Sequence, residues 1–372
     1  MPCISGACRA GGAVLTFVVM PCLDELSLVE SAIASLGFLS DRVPLTQAHL
    51  IAVDNGSTDG TLELLAGIQA QHEKSVHIVQ EPARGFVPPR GRGVREAQIL
   101  ARSMGAVEEE VLVLQADADT IYREGYVETM RRGAQECGTG VILEGSTKPP
   151  PGFASAHPTF LAAQRLVDDA VESLDAEDEQ EVVLDDKICG YRLSDYFAWG
   201  GLFEEWTNDG DPIHAETTRM FIRARLRHGA RKHRVNPAGA MPSRRKILED
   251  PWLQYATVGF PREASWVRAR HGGARPVKDV DVFASAILEG REPEAIYLRR
   301  AHQLALFRYL PALIDEVERV TVEGAPPHPE DVAAVLAALP LWLKEDVADQ
   351  PGRALLHVLT LIDARPDLFG VR

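Results

Sequence analysis

The first third of the chain alternates short apolar runs with stretches whose apolar residues recur at helical spacing. Val14 to Met20 is followed by Leu28, Val29, Ala32, Ile33 and Leu36 before Gly37. His49 to Val53 is followed by Leu62, Leu64, Leu65 and Ile68, Val76 to Val79 by Val94 to Ser103, and Val111 to Leu114 then opens a fourth unit. Strands alternating with helices predict an α/β fold with a doubly wound, mostly parallel sheet. Three of the strand runs lead straight into acid, at Asp24, at Asp54, and at Asp117 and Asp119. Parallel strands share one carboxyl-end edge, so these acids are expected around one crevice. Clustered carboxylates repel unless something positive joins them. Magnesium or manganese is the expected cofactor, because both suit hard oxygen ligands and bridge carboxylate to phosphate.

A chain of 372 residues with a net charge of -15 can bury a large core but lacks the broad basic surface of a nucleic-acid binder or of a protein held to anionic membranes by charge. A sugar or another small acceptor suits it better. Its five cysteines form no C-x-x-C pair, which argues against a zinc knuckle or a disulfide framework and for a reducing, cytoplasmic setting. Val14 to Cys22 follows Arg9 and has the apolar character of a secretory leader, but the run is short and ends in Asp24 and Glu25, so a buried first strand is the preferred reading. No run approaches the ~20 apolar residues of a spanning helix, so no integral membrane contact is expected.

Residues 1–13 are expected to be a flexible tail. From Arg84 to Arg95 the chain offers cations on a Gly- and Pro-rich stretch, read as a loop before a helix N-terminus and suited to a diphosphate. Asp168 to Asp186 is dense in acid and reads as a solvated face, whereas Arg219 to Lys246 is dense in base. Glu216 to His228 is predicted as a helix stopped by Gly229, with Arg225, Arg227 and His228 at its negative end. Beyond about Val280 the pattern is helical, with a kink expected at Pro311. Leu306, Leu310, Leu313 and Val317 form an apolar stripe that would pack on the rest of the chain or make a homodimer. There is no internal repeat.

Seven elements in order resemble the family 2 glycosyltransferases, enzymes of the glycosyltransferase-A fold that move a sugar from a nucleotide donor. They are P-C-L-D-E (Pro21 to Glu25), V-D-N-G-S-T-D-G-T (Val53 to Thr61), R-G-R-G-V-R-E-A (Arg90 to Ala97), D-A-D (Asp117 to Asp119), W-G-G-L-F-E-E (Trp199 to Glu205), A-E-T-T-R-M-F-I-R-A (Ala215 to Ala224) and P-S-R-R (Pro242 to Arg245). Together they cover roughly residues 14 to 250. The resemblance implies a nucleotide-sugar-binding half over 14–145, an acceptor and catalytic half over 146–279, and a helical segment over 280–372. It implies that Pro21, Asp24, Glu25, Asp54 and Arg90 contact the donor, with Asp117 on ribose or metal and Asp119 on the metal. Arg244, Arg245 and Lys246 are read as a second donor clamp. Asp59 reads instead as a helix cap.

The acidic pair that opens the late helix in this family normally continues with Asp, whereas here Glu216 is followed by Thr217. An inverting transfer needs a base for the acceptor hydroxyl. Glu216 is the matching acid, with Asp209, Asp211 and His214 as nearby alternatives. The reading is an inverting, metal-dependent glycosyltransferase acting from a UDP-sugar, in the first instance, on a small-molecule, peptide or glycan acceptor. A retaining transferase, a nucleotidyltransferase on the same sheet, and a non-catalytic sugar-nucleotide-binding partner are the alternatives.

Overall fold

The computed structural model describes residues 14–40, 47–172, 181–208, 210–258, 265–273, 277–319 and 327–366. The expected tail at 1–13 and the candidate base Asp209 lie outside them. Eight strands form one mixed sheet in the order β3-β2-β1-β4-β7-β6-β8-β5. These are β1 Leu15–Cys22, β2 Ala48–Asp54, β3 Val76–Gln80, β4 Val111–Gln115, β5 Thr120–Tyr122, β6 Val141–Thr147, β7 Cys189–Arg192 and β8 Arg231–Pro242. The first four run parallel, as the alternation with helices α1 (Val29–Ser35), α2 (Thr61–Gln71) and α3 (Val87–Ser103) requires. Beyond them β7 pairs antiparallel with β4 and with β6, and β5 pairs antiparallel with β8.

Successive strand residues point to opposite faces, and both faces are covered. Val18, Met20, Leu50, Ala52, Leu112 and Leu114 pack against α1, α2 and helix α4 (Tyr126–Cys137). Phe17, Val19, Ile51, Val53, Val111 and Val113 pack against α3 and the Glu216–His228 helix. That continuous burial explains why the strands read as unbroken apolar runs. Gly93 lets α3 approach the sheet closely: a Cβ there would lie 2.4 Å from Val19 Cγ1 and 3.1 Å from Val53 Cγ2.

Two local expectations change. Helix α3 starts at Val87 rather than near Val94. Pro88 and Pro89 have no N–H to leave unsatisfied, so a proline pair that reads as loop is suited to a first helical turn. Arg90, Gly91 and Arg92 are therefore helical. In the C-terminal segment, the Pro293–Leu304 helix widens into a π turn over Ala305–Tyr309 before continuing as Leu310–Arg319. Pro311 lacks the amide that regular i→i−4 bonding needs, and the ladder adjusts just before it.

The C-terminal helices pack on the rest of the chain. Phe283, Ile287 and Leu298 join Phe160, Trp252 and Tyr255 in one cluster, while Leu306, Leu310 and Leu313 join Ile213 and Ile222 in another. Among the described residues no helix is long and apolar enough to cross a membrane.

Candidate active site

The carboxyl ends of β1, β2 and β4 bring the sequence-selected acids together. Asp54 ends β2 in register with Cys22, and the charges of Glu25, Asp54 and Asp117 all bear on the buried Cys22 thiol. Pro21 lies in β1 beside Val53. Asp24 is exposed, in the left-handed region at φ 55°, and accepts the Thr58 N–H at 2.7 Å. Asp54 accepts the backbone N–H groups of Gly56 and Ser57 at 3.1 and 3.2 Å, closing the D-N-G-S turn. Asp59 accepts the first helical N–H of α2, that of Thr61, at 3.0 Å, so it does act at the helix start.

One side chain organises the centre. Arg90, buried in α3, donates from Nε to Glu216 Oε1 at 2.8 Å, from Nη1 to Gln115 Oε1 at 3.0 Å and from Nη2 to Asp117 Oδ1 at 2.7 Å. Burial works against its charge, but Asp117, Glu216 and Asp186 outweigh this and hold the guanidinium charged. Burial alone would raise the Asp117 carboxyl, yet Arg90, helped by Lys187 and Lys246, outweighs that effect and keeps it below its ordinary range. The stretch expected to cradle a diphosphate thus directs its central arginine at protein acids, while Arg92 pairs with Glu96 on its own helix at 2.9 Å.

The pairing of β5 with the end of β8 sets Thr120 opposite Pro242, which lays the P-S-R-R element beside Asp119. The Ser243 N–H donates to the Asp119 carbonyl at 2.9 Å. Arg245 forms a two-pronged ion pair with Glu25 and reaches within 3.6 Å of Asp119 Oδ2. Arg244 lines a cavity of about 370 Å³ with Asp117, Asp119, Lys187 and Lys246, and burial lowers its pKa. The same Arg244 and Lys187, with Val258, also line an adjoining cavity of about 680 Å³ that reaches Asp186 and His214.

The chemistry of the donor set bears on a metal. Among the described residues no three His, Cys, Asp or Glu side chains gather into an ion cage. Magnesium and manganese need only one or two carboxylates when substrate phosphates complete the shell. Asp119 faces the smaller cavity, and its pKa is raised by burial and by the charge of Asp117. A cation would relieve both. These residues fit an ion that arrives with a diphosphate.

The late-helix acids are separated. Glu216 opens its helix 3% exposed and engaged by Arg90. Asp211 accepts from Arg268 at 2.8 Å. His214 packs its ring on Phe86 with centroids 3.9 Å apart.

Several participants were not legible in the sequence. Asp168 and Asp186, at the two ends of the run expected to be a solvated face, both point inward. Asp168 accepts from Arg299 and Gln303, while Asp186 accepts the Thr217 N–H at 3.2 Å. Lys187 and Gln115 join them. The available signal was an Asp-Asp-Lys step just ahead of Ile188 and the buried β7, where an acidic run meets a buried strand.

Residues 17–159 match the family model described as glycosyl transferase family 2. No curated protein matches the chain. Among solved structures it is similar to the mannosyltransferase PcManGT from Pyrobaculum calidifontis in complex with GDP-Man and Mn2+, at 16% identity over 94% of this chain and 87% of that one, TM-score 0.46. It is also similar to S. aureus TarS 1-349 in complex with UDP-GlcNAc, at 15% identity over 95% and 91%, TM-score 0.44. A third is glucosyl-3-phosphoglycerate synthase from Mycobacterium tuberculosis in complex with Mn2+, uridine diphosphate and phosphoglyceric acid, at 15% identity over 77% and 80%, TM-score 0.36. The matched residues hold the first four strands, Arg90 and both Asp117 and Asp119, and it is this part of the chain that matches glycosyl transferase family 2.

Proposed function

We propose that this chain transfers a sugar from a nucleoside-diphosphate donor to an acceptor hydroxyl with inversion at the anomeric carbon. The observation that carries the proposal is the meeting of Asp119 with Lys187, Arg244 and Lys246 around one cavity at the carboxyl edge of the sheet. Three cations beside a carboxylate suit a diphosphate and a divalent ion together. In this reading residues 14–145 hold the nucleotide, with Pro21, Asp24, Glu25 and Asp54 on that side, while residues 146–279 hold the acceptor and supply Lys187, Arg244 and Lys246 to the donor phosphates.

Asp119, with Asp117 behind it, would hold magnesium or manganese, which when bound supplies Lewis-acid relief of the charge growing on the leaving diphosphate. The chain's own residues do the rest. Lys187, Arg244 and Lys246 bind and orient the phosphates, and Arg245, held by Glu25, keeps the P-S-R-R element over the cavity. Arg90 fixes Asp117 and Glu216 relative to each other across α3, β4 and the late helix.

Thermal unfolding with uridine diphosphate, with and without manganese, tests the donor site. At a hundredfold excess over its dissociation constant a ligand adds about 2.7 kcal/mol, and stabilisation is expected only when the metal is present. Equal stabilisation without metal, or an Asp119→Asn variant that keeps the manganese response, would refute the metal assignment. Absence of any nucleoside-diphosphate response across uridine, guanosine and adenosine forms would refute the donor site itself.

A further inference from the structure

The family's acidic pair is incomplete here, because Thr217 stands where its second acid belongs, and the fold supplies a carboxylate to that place from another element. Thr217 is fully buried, and its N–H donates to Asp186 Oδ1 at 3.2 Å. The short turn Asp186–Ile188 ahead of β7 thus sets an acid against the first turn of the Glu216–His228 helix. The next residue of the helix fixes the contact: the Thr218 hydroxyl accepts the Leu184 N–H at 2.9 Å and donates to the Leu184 carbonyl at 3.2 Å.

We propose that Asp186, rather than Glu216, is the catalytic base, taking the proton of the attacking hydroxyl. This rests on the inverting transfer proposed above. Glu216 is buried and engaged by Arg90, whereas Asp186 is partly exposed and lines the 680 Å³ cavity that shares Lys187 and Arg244 with the donor-side cavity. A hydroxyl lying where the two cavities join can reach both the donor sugar and Asp186. As its oxygen bonds to the anomeric carbon, the carbon–oxygen bond to the diphosphate breaks. The electron pair leaves with the diphosphate, and the hydroxyl proton passes to the Asp186 carboxylate. Burial and the Glu216 carboxylate push the Asp186 pKa up to about 7, which suits proton exchange near neutral pH. Facing it are Glu216 and Arg219 of the late helix, Arg90 of α3, Asp185 and Lys187 of its own turn, and Cys189 of β7, whose thiol donates to the Asp186 carbonyl at 3.3 Å.

Water serves as the acceptor in the test, with UDP-N-acetylglucosamine and GDP-mannose as donor probes and manganese present. Diphosphate release is followed against pH, and the anomer of the freshly released sugar is read by NMR. Wild-type protein is expected to hydrolyse at least one donor with inversion, at a rate that rises with pH as Asp186 ionises. Asp186→Asn keeps an oxygen for the Thr217 N–H and is expected to hold the donor-induced thermal shift, while hydrolysis falls by roughly 10²–10⁴ and the pH dependence flattens. Partial rescue of Asp186→Ala by formate would support a direct proton transfer. An Asp186→Asn variant with wild-type rate and pH profile, or a product of retained configuration, overturns the proposal while leaving the glycosyltransferase reading intact. Wild-type protein that neither shifts with any donor nor releases diphosphate overturns both.

Discussion

Replacing Arg90 with Met removes one guanidinium and keeps a linear side chain in its place. The structure sets the size of the effect. Arg90 donates three side-chain hydrogen bonds, and its ionic partners Glu216 and Asp117 have side chains 3% and 33% exposed. Removing one partner of a buried ion pair costs about 3–5 kcal/mol, because the other charge stays buried without compensation. The fully buried Glu216 places this case within that range. The pH dependence carries a sign as well. In the wild-type protein Arg90 depresses the Asp117 pKa, so Asp117 contributes stability above its ordinary value of 3.8, which is lost as pH falls through the lower folded value. Without Arg90 burial is opposed only by the charges of Lys187 and Lys246, so the carboxyl pKa rises and the ionised form loses stability relative to wild type. The deficit of Arg90→Met should therefore be largest near pH 8 and shrink towards pH 5. Urea unfolding followed by tryptophan fluorescence at the two pH values measures it. Arg92→Met is the control, since Arg92 makes a half-exposed pair with Glu96 on the same helix and should cost under about 1 kcal/mol. A deficit below about 1 kcal/mol at pH 8, or one that grows on acidification, would refute the idea that Arg90 holds two carboxylates.

Gly93→Ala should destabilise by about 1–3 kcal/mol, because the new methyl would press on Val19 and Val53. Gly67→Ala, in α2 with nothing within 4 Å of the added carbon, should stabilise by about 0.5–1 kcal/mol, and thermal melts that give both changes the same sign would refute this account of helix packing. Glu205, 6% exposed, accepts the N–H groups of Gly352 and Arg353 at 3.1 and 2.7 Å where the Pro351–Ala364 helix begins. Glu205→Ala should raise hydrogen exchange across residues 351–364 well above that of α3; equal protection in both proteins would show that apolar packing alone holds the last helix.

Much of the donor-side architecture is legible in the sequence, because its signals are local. Apolar runs buried on both faces mark β1 to β4, helical spacing marks what lies between them, and chain direction alone gathers Asp24, Asp54, Asp117 and Asp119 at one edge. The Glu216–His228 helix and its Gly229 stop are likewise written in adjacent residues. What the sequence leaves open is which charge meets which. Arg90 and Glu216 are 126 positions apart, and Arg245 and Glu25 are 220 apart. Nothing local couples them. Only the insertion of β7 beside β4, the pairing of β5 with β8 and the early start of α3 bring them into contact. The same packing turns Asp186 from an apparent surface acid into a half-buried one facing a cavity, since a carboxylate's environment is set by the elements that close over it and not by its neighbours in the chain.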